Sequence, residues 1–110
     1  FERRTGLAIK TGASIAATGT ATTQTDSTLT FASAVTIVSI ENNTGGVLYV
    51  KLNEAVTGAG AAPTGYDFRM ADGSRVFLNN EEVSVATVHV IKISAGNITL
   101  PHNELVCMGW

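Results

Sequence analysis

A hydrolytic or group-transfer site needs a nucleophile with a base, paired carboxylates, or a cluster of metal ligands. The only histidines are His89 and His102. His89 lies inside VSVATVHVIKI, where extended alternating chain makes it a half-buried strand residue, and His102 follows Pro101 in a loop. Cys107, His102 and Glu104 are close in sequence, but their spacing matches no zinc motif. Glu81 and Glu82 are adjacent carboxylates. In extended chain such neighbours point to opposite faces, so they read as solvated turn residues that keep a sheet edge from pairing. The glycine-rich TGAGAAPTG, residues 57–65, lacks the Gly-Lys-Ser/Thr ending and the strand-to-helix setting of a phosphate loop. We therefore expect no enzyme, with no catalytic, cofactor-binding or metal-binding residues.

Composition narrows the remaining classes. The chain has 110 residues, a formal net charge of −2 and only 15% charged residues against 45% hydrophobic ones. That length suits one domain able to bury a core. Low charge with high hydrophobicity argues against disorder, and the absence of a basic surplus argues against nucleic acid as a partner. Arg3, Arg4 and Lys10 are too sparse for a phosphate-binding patch. No apolar run approaches the roughly 20 residues of a membrane-spanning helix, so no membrane partner is expected. FERRTG carries no apolar stretch after its arginines, so no signal peptide is read there. The single Cys107 forbids an internal disulfide and is read as a buried apolar filler. The triplets Asn42-Asn43-Thr44 and Asn97-Ile98-Thr99 read as turns rather than glycosylation sites.

The elements that must carry any function are strands. Residues 11–40 contain one charge, Asp26, in a run rich in Thr, Ala, Ser and Gly. β-Branched threonine favours extended chain, which predicts an extended arm to about residue 26. A strand follows at 27–32, with Leu29 and Phe31 on one face. VTIVSI, residues 35–40, is a buried central strand by its continuous apolar run. ENNTGG supplies turn residues, VLYVKL alternates, and a hairpin across residues 43–46 is the strongest local expectation. YDFRM places Tyr66, Phe68 and Met70 together, facing inward, and Asp72-Gly73 forms a tight turn before RVFL. The alternation between Val83 and Ile93 slips near Thr87, predicting two strands or one bulged strand. NITL and ELVCM close the series. No segment keeps a helical period, and turn signals recur about every ten residues, the pattern of antiparallel sandwiches and barrels. The predicted fold is all-β: an antiparallel, jelly-roll-like β-sandwich over 27–110 with an extended N-terminal arm over 1–26.

VTIVSIENNTGGVLYVKLNEA, the small-residue loop and GYDFRMADGSRVFL together resemble small β-sandwich structural proteins of tailed bacteriophages. CMGW is similar to their terminal strand with its Gly-Trp tail. The resemblance spans residues 35–110. It implies a capsid decoration (cement) protein on the virion surface, bound at junctions between major capsid protein subunits, or else a minor head or tail component. Its partners would be the major capsid protein and copies of itself, as a dimer or trimer. Phe1, Arg3, Arg4 and Trp110 are the candidate protein-contact residues, with the loop at 57–65 as a further contact. A carbohydrate-binding module on the same fold is the rival reading, with Tyr49, Tyr66 and Trp110 as its stacking candidates.

Overall fold

The computed structural model describes residues 13–79 and 84–110. The chain there is all-β, with antiparallel sheets packed together as in a β-sandwich. The strands are β1 (Ile15–Ala16), β2 (Gly19–Ala21), β3 (Ser27–Val35), β4 (Ile37–Asn42), β5 (Leu48–Leu52) and β6 (Thr57–Ala59). They continue with β7 (Ala62–Gly65), β8 (Phe68–Met70), β9 (Arg75–Asn79), β10 (Val85–Lys92), β11 (Ile98–Leu100) and β12 (Leu105–Gly109). One four-stranded sheet has the order β1-β12-β4-β9, and the other has β3-β10-β5-β8. The small pairs β2–β11 and β6–β7 complete the fold.

Alternation within each strand decides which side chains meet between the sheets. Leu29 and Phe31 of β3, Leu48 and Val50 of β5, and Val88 and Val90 of β10 face Val38 and Ile40 of β4 and Leu105 and Cys107 of β12 in one buried cluster. Each such side chain is worth roughly 1.5–3 kcal/mol by burial. Cys107 is part of this core, and burial pushes its thiol up to about 12, which keeps it an inert filler. The slip expected near Thr87 is a single strand with a register shift: Val85 pairs with Val35, but Thr87 pairs with Thr30. The extra residues lie in β3, where Ala32, Ser33 and Ala34 are all exposed.

Three local expectations are corrected. VTIVSI and VLYVKL do not form a hairpin. β4 pairs with β12 and β9, whereas β5 pairs with β10 and β8, so residues 43–47 arch from one sheet to the other. The cause is Asn42, in phase with Val38 and Ile40 and therefore pointing inward, with no exposed surface. Its Nδ2 donates to the carbonyls of Gly46 (2.9 Å), Met70 (3.1 Å) and Ala71 (3.2 Å). Its Oδ1 accepts from Thr44 N (3.1 Å) and Thr44 Oγ1 (2.8 Å). One side chain thus ties the β4–β5 arch to the β8–β9 turn.

The stretch assigned to an arm over 1–26 is part of the domain from residue 13 onward. Ala17 N donates to Cys107 O (2.9 Å), Thr18 and Thr30 exchange backbone bonds, and Gln24 N donates to Lys92 O (2.7 Å). Ala17 and Ala21 are fully buried, so no domain boundary falls at residue 26. Alanine there lets the strand approach the core, which composition alone did not reveal. The small-residue loop at 57–65 is a hairpin of β6 and β7. Its pairing is close because Gly58, at φ +115°, has no side chain: a Cβ there would lie 2.4 Å from Thr64 N.

Candidate functional site

Functional candidates lie on the two outward faces of the sandwich. In β12, Leu105, Cys107 and Gly109 point inward, so Val106, Met108 and Trp110 point out. Trp110 N donates to Ile37 O (3.0 Å), and Trp110 O accepts from Thr36 N (2.9 Å) and Ile37 N (3.3 Å). The terminal tryptophan is therefore held in the ladder beside β4. Its ring lies 6.4 Å from that of Phe77, with the planes at 53°. Phe77 is outward because Val76 and Leu78 pack against the core, and it is 42% exposed. Ile37, also on this outer face, is buried outside the inter-sheet cluster. Of the sequence-based contact candidates, Trp110 is thus on the surface in an aromatic pair. Phe1, Arg3 and Arg4 lie outside the described residues.

The opposite face repeats the arrangement. Leu48 and Val50 point inward, so Tyr49 and Lys51 point out. Tyr49 and Tyr66 meet edge to face, with centroids 4.8 Å apart and planes at 65°. Here the expectation that Tyr66 faces inward is corrected: it is 38% exposed. The alternation breaks at Asp67, whose N donates to Val50 O (2.8 Å) and whose Oδ2 accepts from Leu52 N (2.9 Å). β8 starts only after it, and Tyr66 turns out onto Tyr49. Ile91, opposite Tyr49 in the ladder, is buried outside the main cluster. Arg69, the other neighbour of Tyr49, and Lys51, 3.4 Å from Glu54, add positive charge to this face.

The titratable groups form structural contacts. His89 Nδ1 lies 3.2 Å from Asp26 Oδ2 and 3.4 Å from Thr28 Oγ1, and Asp26 Oδ1 accepts from Val56 N (2.8 Å). That cluster pins the turn before β3 and the start of the β6–β7 hairpin to β10. His102 Nδ1 accepts from Glu104 N (3.1 Å) and shapes its own loop. Among the described residues no three of His, Cys, Asp and Glu gather to hold a metal ion. Glu81 and Glu82 lie outside the described residues.

Lys92 was not singled out from the sequence. It has no exposed surface, and its Nζ donates to Ser94 O, to Ser94 Oγ (3.3 Å) and to Thr23 Oγ1 (3.5 Å). Burial lowers its pKa from the ordinary lysine value, while the Glu104 carboxylate pulls the other way. The signal was its parity with Val88 and Val90, which turns it inward.

No family model, curated protein or solved structure matches the chain. The surface chemistry must carry the functional argument alone.

Proposed function

We propose that this chain is a bacteriophage capsid decoration (cement) protein that binds the outside of the shell where major capsid protein subunits meet. The observation that carries this reading is the pair of outward aromatic clusters, Tyr49–Tyr66 and Phe77–Trp110, on opposite faces of one small body. Exposed aromatics are typical anchors of protein interfaces. Two of them facing apart suit a protein that joins partners rather than one that encloses a ligand.

The strand pairing gives further support. β1 pairs with β12, β3 with β10, β4 with β9 and β5 with β8. Counting the strands of the two large sheets from one end, first meets last, second meets next to last, and so on inward. We read this as a jelly roll, an architecture found in viral capsid proteins and also in lectins and cupins. The Tyr49–Tyr66 pair also favours a second reading, carbohydrate binding, but rings crossing at 65° offer no flat stacking platform.

A cement protein binds assembled shell better than free subunits, so occupancy stabilises the assembled state by linkage. We assign the Tyr49–Tyr66 face, with Lys51 and Arg69, to the shell. Shells of the major capsid protein lacking this chain should bind it saturably in co-sedimentation. Tyr66→Ala should weaken that binding roughly tenfold or more while leaving thermal unfolding of the free protein nearly unchanged. No binding to shells, with a tryptophan signal that shifts on adding soluble glycans, would move the assignment to the carbohydrate reading.

A further inference from the structure

The outer edge of β9 has its own hydrogen-bonding register, and that register is fixed by contacts inside the domain. Asn42 N donates to Ser74 O (2.9 Å) and Asn42 O accepts from Gly73 N at the turn (2.6 Å), so the backbone groups of residue 42 point toward the β9 side. In an antiparallel ladder hydrogen-bonded pairs alternate with pairs that are not. Counting in twos along the observed register, Ile40–Val76 and Val38–Leu78 are the hydrogen-bonded pairs. The backbone N–H and C=O groups of Arg75, Phe77 and Asn79 therefore point away from β4. The other side of β4 agrees, since Ile37 bonds to Trp110 of the β12 side. Among the described residues no strand pairs with this outer edge.

Exposed edges are normally blunted by brevity, charge, proline or bulges. β1 has two residues and β8 three, while β3 carries a register shift and is bridged at Thr30 by Thr18. β9 has five residues, RVFLN, in regular register and without proline. Its one charge, Arg75, is held back over β4 by Glu41, with Nη2 at 3.0 Å and Nε at 3.1 Å from Oε2. Val76 and Leu78 face the core yet remain half-buried, and Phe77 is exposed beside Trp110.

We propose that the β9 edge pairs antiparallel with β9 of a second copy of this chain, about a two-fold axis through Phe77. That register lets each of the outward backbone groups find a partner. Phe77 pairs with Phe77 of the partner subunit, and Arg75 pairs with Asn79 of the partner subunit, so no like charges oppose. Val76 and Leu78 gain cover from the facing strand, and the two Phe77–Trp110 clusters merge into one aromatic seam. The contact is isologous and closes at two copies. It is independent of the shell assignment, which uses the opposite face.

Proline substitution tests the register directly. The mass of the full chain in solution, by light scattering and sedimentation over a range of concentrations, should be twice 11.4 kDa. Phe77→Pro removes an N–H that serves only the second copy, so it should give a single-chain mass with cooperative unfolding retained. Val76→Pro removes an N–H bonded to β4 and should lower the stability of the fold itself. Phe77→Lys, which leaves the backbone donors intact but opposes two like charges across the axis, should also give single chains and decides the matter if the proline variant does not fold. A wild-type chain that stays single, a three-chain mass, or a two-chain mass surviving Phe77→Lys would overturn the proposal.

Discussion

Replacing Asn42 by alanine should lower the unfolding free energy by about 3–5 kcal/mol, the largest single effect expected outside the apolar core. The substitution strips the amide donor from the carbonyls of Gly46, Met70 and Ala71 and the acceptor from Thr44. All of this lies at a position with no exposed surface. Buried polar groups left without partners carry the full desolvation cost. Native domains hold only about 5–15 kcal/mol in total, so the variant should melt at least ~12 °C lower. Asn42→Asp keeps the shape but turns the donor into an acceptor facing those carbonyls. Its carboxyl would be held above the ordinary aspartate value in the folded state. The native state then binds more protons than the unfolded one, and stability falls as pH rises above about 4. Denaturant unfolding across pH reads both effects. A loss below 1 kcal/mol for Asn42→Ala would show that the arch is held by other contacts.

Lys92→Met is expected to stabilise the protein, by about 1–2 kcal/mol near neutral pH. The ammonium is buried, and its partners also bond to each other: Thr23 Oγ1 donates to Ser94 O at 2.8 Å, a bond that does not involve Lys92. Methionine fills a similar volume without the desolvation cost. The pH dependence identifies the cause. With the folded pKa of Lys92 below its unfolded value near 10.4, the unfolded chain binds more protons between the two values. Wild-type stability therefore rises as pH climbs through that window, and is lower by a constant amount below it. Lys92→Met should lack this rise. A variant less stable than wild type, with the rise unchanged, would mean that the ammonium stabilises the fold through its hydrogen bonds.

These two residues also mark where the sequence was legible and where it was not. Strand identity was readable because alternation is local: Leu29 with Phe31, and Leu48 with Val50, are buried as their spacing requires. The slip near Thr87 was visible for the same reason. Connectivity was not readable. The turn residues of ENNTGG fit a hairpin and an arch between sheets equally well, and what separates the two is Asn42, whose partners Met70 and Ala71 lie far along the chain. Its inward parity with Val38 and Ile40 was present in the sequence but was outweighed by the turn propensity of asparagine. Lys92 was hidden in the same way by its charge. The run at 13–26 read as an arm because its small residues carry little apolar signal. Ala17 and Ala21 are buried because they are small, in places where the backbone itself approaches the core.

The candidate faces were half visible. Trp110 was legible as an aromatic of interest, and the structure places it in an outward pair with Phe77. Phe77 itself was passed over, since RVFL reads as an ordinary strand until the register with β4 shows which of its residues face out. Tyr66 was assigned to the wrong face because one side-chain cap, Asp67 on Leu52, shifts the phase of the strand.

The most direct test of the decoration assignment is a count. On the proposed decoration role, quantitative mass spectrometry on purified virus particles from the source culture should give copies of this chain per copy of the major capsid protein. A cement protein seated where shell subunits meet predicts a simple whole-number ratio maintained over the entire shell. A handful of copies per particle, or none, would contradict the account and move the chain to a tail or portal role in the first case and out of the virion in the second.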